Sequence, residues 1–191
     1  MNAPVDISTT ILETERLILR PWRESDLEDF FEYASVDGVG QMAGWNPHQS
    51  KEESARILKS FIEHKKTFAL ELKENRKVIG SLGLETCRPE PDEPYKSRLG
   101  RELGYVLGKA YWGQGLMPEA VSRVIRYCLE ELHYDFVQCG HFVENNQSRR
   151  VIEKCGFHLY RTAEFTGSNG VSHESRIYLI DASGSVPLKT R

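Results

Sequence analysis

The chain holds nothing that would place it in a membrane, a disulfide framework or a metal site. Its four cysteines, Cys87, Cys128, Cys139 and Cys155, are scattered with no Cys-x-x-Cys pair. They read as reduced, mostly buried thiols. The six histidines also lack metal-ligand spacing, so no metal is expected. No apolar run reaches the ~20 residues of a membrane helix. The start, Met1-Asn2-Ala3-Pro4-Val5-Asp6, lacks the charged-then-apolar pattern of a signal peptide. A cytoplasmic location is the expectation. There is no surplus of positive charge: 25 Lys and Arg stand against 28 Asp and Glu, a net of -3. That balance argues against general nucleic-acid binding, which favours a basic face. Two phosphate motifs are missing as well, the Gly-Lys-Ser/Thr of a P-loop and the three-glycine dinucleotide fingerprint.

What is present is ordinary for a globular protein: 191 residues, 39% hydrophobic and 28% charged, enough for one domain with a sizeable core. No linker or repeat divides the chain, so residues 1–191 read as a single domain with its core at about 13–181. Residues 1–12 read as a loose leader and 182–191 as a frayed tail. Leu17 to Leu19 fit a strand. Ser25 with Glu28, and Ser50 with Glu53, are capping-box patterns, each opening a helix with apolar residues at helical spacing. Thr67 to Lys73 and Lys77 to Leu84 read as a hairpin. Pro89, Pro91 and Pro94 mark a solvated loop, of a kind that can carry substrate contacts. Leu99 to Leu107 and Phe136 to Phe142 are strands, Gln147 to Cys155 a short helix, and Phe157 to Arg161 and Arg176 to Ile180 complete a sheet. Mixed order of this kind predicts an α+β or α/β layered domain.

The most informative segment joins a strand (Leu103, Tyr105, Val106, Leu107) to the loop Tyr111-Trp112-Gly113-Gln114-Gly115 and a helix opening at Pro118. Along that helix Val121, Val124, Ile125, Cys128, Leu129 and Leu132 form one apolar face. Glycine permits tight turns and close ligand approach. The unpaired N–H groups at a helix start sit at the positive end of its dipole and bind phosphate. The combination suggests a backbone cradle for a pyrophosphate, with a plain structural turn as the alternative.

Downstream, Val143 to Phe157 contains Asn145-x-x-Ser148, then Val151, then Lys154-x-Gly156-Phe157. With Tyr111-Trp112-Gly113-Gln114-Gly115, Glu119-Ala120 and the opening Glu13 to Trp22, this resembles the GNAT acetyltransferase superfamily. The closer match is its ribosomal-protein N-terminal acetyltransferase-like branch, over about residues 13–181. Trp112 stands where the wider superfamily often has Arg or Gln, and Trp is usual in this branch. The resemblance implies a mixed, mostly antiparallel sheet of about seven strands flanked by about four helices. It also implies that the strands of residues 100–108 and 136–142 splay apart to admit acyl-CoA. The implied activity is transfer of an acetyl group from acetyl-CoA to a primary amine in a ternary complex. Transfer to a small amine (a polyamine, amino acid or antibiotic) and non-catalytic acyl-CoA sensing are the alternatives. A homodimer is left open.

The resemblance also assigns roles. Backbone groups of Gly113, Gln114, Gly115, Leu116 and Met117 hold the pyrophosphate, and main-chain groups of Tyr105, Val106 and Leu107 meet the pantetheine. Asn145 bonds the pantetheine arm, caps the next helix, or does both. Ser148 is the candidate acid for the departing thiolate, against a role at the helix start. Glu102, from its place in the central strand pattern, and Glu164, near where some related N-terminal acetyltransferases use a carboxylate through water, are candidate bases, against solvated surface charges. Tyr160 is a third candidate for the acid–base work, against a place in the strand core. Glu119, a carboxylate close to the phosphate cradle, is expected to turn away and stabilise the helix start. The Trp45 loop and residues 85–99 shape the acceptor side. An α-amine has a pKa near ~7.7–8.0 against ~10.4 for lysine, so a site with no obvious strong base suits a peptide or protein N-terminus.

Overall fold

The computed structural model describes residues 1–182. Eight strands form one sheet: β1 (Leu12–Glu13), β2 (Leu17–Pro21), β3 (Thr67–Leu72), β4 (Val78–Glu85), β5 (Gly100–Leu107), β6 (Phe136–Phe142), β7 (His158–Thr166) and β8 (Ser172–Asp181). Their spatial order is β1-β2-β3-β4-β5-β6-β8-β7. Among these described strand pairs only β5–β6 is parallel. The helices are α1 (Leu27–Ala34), α2 (Lys51–His64), α3 (Leu116–Arg126) and α4 (Asn146–Lys154). This is the expected mixed, mostly antiparallel α+β arrangement with one strand more. The addition is two-residue β1, whose Leu12 pairs with Leu19.

A parallel pair needs a crossover, and α3 lies on the one between β5 and β6. Its Ala120, Val121 and Val124 are fully buried in the main core with Leu17, Phe68, Leu82, Leu103 and Ile152. After Arg126 the helix loosens into a π turn, Tyr127–Glu131, which still buries Cys128. A second apolar cluster (Trp22, Phe30, Tyr33, Leu58, Ala69, Val78) fastens α1 and α2 to the sheet. Side chains alternate along β5. Leu103, Tyr105 and Leu107 join the main core, and Val106 joins the α1–α2 cluster. Glu102 and Gly104 therefore share Val106's face.

Four sequence expectations are corrected. The leader is not loose: Ala3 and Ile7 are buried, Asn2 bridges to Gly100, Ala3 N–H donates to the Gly100 carbonyl at 3.0 Å and Tyr134 Oη donates to the Pro4 carbonyl at 2.6 Å. Ser25 and Glu28 form no capping box. The chain makes a 3₁₀ turn, Glu24–Asp26, because buried Arg20 draws in Asp26 through two 2.8 Å bonds, and Asp26 also accepts from Arg23 N–H at 2.8 Å. The proline loop is only partly solvated: Cys87 and Tyr95 are buried, Tyr95 Oη donates to Asp181 at 2.8 Å, and Arg161 pairs with Asp92. Strands β7 and β8 run longer than their apolar patterns suggest, since β7 is the sheet edge and its exposure alternates. At α2 the expected cap is present, with Glu53 N–H donating to Ser50 Oγ at 3.2 Å. The tail expected over 182–191 lies, from residue 183 onward, outside the described residues.

Candidate active site

The loop before α3 is built on two left-handed glycines. Gly113 and Gly115 both have φ +76°, and a Cβ on Gly113 would meet no atom within 4 Å. There the backbone angle, not a lack of space, calls for glycine. The N–H groups of Gly113, Gln114 and Gly115 donate to no acceptor among the described residues. Leu116 and Met117 open α3 behind them. Trp112 pins the loop from below, its Nε1 donating to the Leu107 carbonyl at 2.7 Å.

Glu119 is turned away from this cradle. Its carboxylate accepts from Arg16 N–H and Arg16 Nε, both at 2.8 Å, while the same guanidinium donates to the Gln114 carbonyl at 2.9 Å. Burial would raise the Glu119 pKa, but the hydrogen bonds from Thr14 and Arg16 prevail and hold it below the ordinary value. Arg16 therefore neutralises the Glu119 carboxylate beside the loop.

Beyond the loop, the sheet opens. The β5–β6 register begins at Gly100↔Phe136 and stops at Leu103↔Cys139, so Gly104 to Leu107 have no partner on that side. A cavity of about 700 Å³ occupies the gap and continues to the glycine loop. It is lined by Glu102, Tyr105, Gly113, Gly115, Ser148 and Glu164, among others. Gly104 is exposed, so β5 presents bare backbone at the opening.

Asn145 caps α4, its Oδ1 accepting from Ser148 N–H at 3.0 Å, and its Nδ2 donates to the Met42 carbonyl at 3.2 Å. Ser148 Oγ lies 2.8 Å from Tyr105 Oη. Glu102 is half-buried and accepts from Arg88 N–H at 2.7 Å and from Gln138 Nε2 at 2.9 Å. Burial pushes its pKa up to about 7, against the pull of those two bonds and with a further push from neighbouring Glu85. Glu164 is exposed, opposite Glu174 in the β7–β8 pairing. Tyr160 does not line the cavity. Its hydroxyl accepts from Asp92 N–H at 3.1 Å and its ring packs edge-on against Tyr95, anchoring the proline loop. Trp45 is also outside the lining: it turns inward against Gly40 and His48, leaving Val39, Met42 and Ala43 to face the cavity from that loop.

Several contributors were not singled out from the sequence. The Tyr105 side chain is one. Lys66 is another: it pairs with Glu85, at the edge of the 85–99 stretch, both line the cavity, and Glu85 stands opposite Glu102 across β4 and β5. The hairpin between β7 and β8 reaches over to the 40–45 loop, where Asn169 N–H donates to the Gly44 carbonyl at 3.2 Å. No local pattern announces contacts between such distant segments. The Gly44 and Gly167 pair was the available signal, since a Cβ on Gly167 would come within 2.4 Å of the Gly44 carbonyl oxygen.

A sheet split at one parallel pair, with a glycine-built helix start facing the split, leaves a cavity that runs from the open strand edge to the helix start. The chain belongs to the GNAT acetyltransferase domain family, whose model matches residues 16–158, and it is an acyltransferase of the N-acetyltransferase class. It is 26% identical over 176 residues to the uncharacterised N-acetyltransferase YoaA of Bacillus subtilis, covering 89% of this chain and 96% of that one. Its fold matches a GNAT-family acetyltransferase from Bacillus anthracis with a TM-score of 0.78 at 20% identity, over 91% of this chain and 99% of the other. It also matches the ribosomal-protein-S5-alanine acetyltransferase of Vibrio fischeri, with a TM-score of 0.69 at 21% identity over 93% and 100% of the two chains. Among the described residues no helix is long and apolar enough to cross a membrane.

Proposed function

We propose that the protein moves an acetyl group from acetyl-CoA to a primary amine by direct attack, and that the amine is the α-amino group of a peptide or protein. The observation that carries this is the placement of the polar groups on opposite sides of the β5–β6 gap. Glu102 stands on the α1–α2 face, while Tyr105 and Ser148 meet on the α3–α4 face. Acyl transfer through a tetrahedral intermediate asks for a base beside the incoming amine and a hydrogen-bond donor beside the departing sulfur, and this layout supplies the two from different faces.

The free N–H groups of Gly113, Gln114 and Gly115 suit the pyrophosphate. Tyr105, Val106 and Leu107 offer strand edges to the pantetheine, and Leu116, Met117 and Asn145 complete that wall. Arg150 and Lys154 also line the cavity and offer positive charge to the remaining phosphate. The incoming amine must shed its proton, and Glu102, which titrates near neutrality, is the base. Exposed Glu164 is the secondary candidate, acting through water. An α-amine needs less help than lysine by about 2 to 3 pKa units, which matches a single moderate base. The alanine acceptor in the name of the Vibrio fischeri neighbour agrees with this choice. The whole chain is proposed to act as one domain in the cytoplasm, where four unpaired thiols remain reduced.

A second reading has one observation in its favour. Glu85, Glu102 and Glu164 all line the cavity, as an acceptor site for a cationic small amine would require. Against it, Glu85 is paired with Lys66, a cation that also lines the cavity and would repel a cationic amine. The test is release of CoA thiol from acetyl-CoA with a panel of peptide N-termini and small amines, with products read by mass spectrometry. Acetylation of peptide α-amines is the expected result. Product found only on lysine side chains or on a polyamine overturns the peptide assignment and leaves acetyl transfer standing.

A further inference from the structure

The phenol of Tyr105 makes two contacts with Ser148, 2.8 Å to Oγ and 3.3 Å to the carbonyl oxygen. Tyr105 lies two positions beyond the last residue of β5 that pairs with β6, so its ring spans from the open strand edge to the start of α4. Both residues line the cavity. Burial holds the phenol proton on to well above the ordinary pKa of tyrosine, so Tyr105 remains a neutral donor at any pH where an amine reacts.

Ser148 by itself is an uncertain donor. A serine hydroxyl has one proton and rotates freely, and near a helix start it tends to turn back on a backbone acceptor. Its N–H is already fixed by Asn145. Only the hydroxyl is left to be oriented, and Tyr105 is the group that touches it.

We infer that Tyr105 is a positioning residue. Its one proton goes to Ser148 Oγ, the nearer acceptor at 2.8 Å against 3.3 Å for the Ser148 carbonyl oxygen, fills an acceptor site there and sends the single Ser148 proton into the cavity. The inference rests on the acetyl-transfer reading above. In that reaction the amine nitrogen bonds to the acetyl carbon, the carbon–sulfur bond breaks, and sulfur leaves with the electron pair. The amine proton passes to Glu102. The new thiolate is met by the Ser148 hydroxyl as a hydrogen bond, because serine is a much weaker acid than a thiol and does not surrender its proton outright. The thiol is completed by a proton from water on release. Successive hydroxyl donors polarise one another, so the Tyr105 bond strengthens the one Ser148 gives to sulfur.

A double-mutant cycle tests this. Tyr105→Phe keeps the ring and removes the donor. It is expected to lower kcat about 10-fold, the worth of one hydrogen bond of roughly 1.4 kcal/mol, with acetyl-CoA affinity by calorimetry and Tm nearly unchanged. In a Ser148→Ala background the same substitution should cost nothing further. Wild-type kcat in Tyr105→Phe, or a full additional loss in the Ser148→Ala background, overturns the inference. Should Tyr105→Phe lower Tm and acetyl-CoA affinity in step with kcat, the contact is structural only and the inference also falls. A wild-type chain that turns over no amine removes the acetyl-transfer reading itself, an outcome distinct from an active enzyme with an additive cycle.

Discussion

Glu102 shows how far one residue's chemistry depends on neighbours remote in sequence. Along the chain it is a glutamate in a strand, and glutamates are mostly solvated. In the fold, Arg88 N–H and Gln138 bond it, Glu85 stands beside it, and burial dominates, so its pKa is pushed up to about 7. Two consequences have opposite signs. For activity, the base works only when ionised, so kcat/KM for the acceptor should fall as pH drops below about 7. Glu102→Gln should remove that limb and lower the rate by about 10²-fold, the low end for acid–base catalysis. Glu164→Gln should change it less than about threefold. For stability, a carboxyl whose folded pKa is raised stabilises the fold when protonated, and that contribution is lost as pH rises through about 7. Glu102→Gln should therefore raise Tm relative to wild type at pH 8 and leave it nearly equal at pH 4. Paired pH–rate and pH–Tm profiles check both. A loss confined to Glu164→Gln would move the base to β7. The residue types were legible in the sequence, but which of Glu102, Glu164 and Tyr160 faced the gap was not. That choice depends on strand parity at the split, and on Tyr160 being committed to the proline loop.

At the scale of elements, the strongest local signals were also the most faithful. The glycine loop, α3 and the Asn145-capped α4 lie where their motifs put them, because their geometry is set within a few residues: left-handed glycines, an open helix start, a side-chain cap. Arg20 marks where that logic ends. Ser25 and Glu28 carried the capping-box spacing, yet Asp26 took over because a buried guanidinium from β2 needed a carboxylate, a demand invisible in the helix's own sequence. Arg16 makes a similar long-range tie, from the β1–β2 turn to the glycine loop. Arg16→Ala should release Glu119 and leave its charge beside the phosphate cradle, weakening acetyl-CoA binding about 3- to 10-fold at low salt, a like-charge effect of roughly 1 kcal/mol in a solvated setting. Adding Glu119→Gln should restore most of that affinity if charge is the cause. Failure of the second change to restore binding, measured by calorimetry, would mean that Arg16 acts on loop geometry through its bond to Gln114.

Across the whole molecule, the opening at β5–β6 is held by segments far from it in sequence, and here the sequence was least readable. The first twelve residues were expected to be a loose leader. In the fold they form a brace beneath β5, where Asn2 meets Gly100, Arg101 Nε donates to the Ala3 carbonyl at 2.6 Å and Cys87 N–H donates to Asn2 Oδ1 at 2.9 Å. The last bond matters for the site, because Arg88 N–H, one residue on, is the donor that holds Glu102. Deleting residues 1–7 removes buried Ile7, a side chain worth about 1.5–3 kcal/mol, and strips partners from Arg101, Tyr134 and Cys87 N–H. A total near 3–4 kcal/mol corresponds to a Tm lower by about 10 °C for a chain of this length. The effect on function should be uneven. The glycine loop and α4 make none of these contacts, so acetyl-CoA affinity in the folded truncated protein should stay close to wild type. The Arg88 end of the proline loop should loosen, hydrating Glu102 and moving the acid limb of the acceptor pH–rate profile below pH 7. A truncated protein with an unchanged Tm would show that the brace carries no stability. Equal losses of acetyl-CoA and acceptor affinity would show that the two halves of the gap are not held separately.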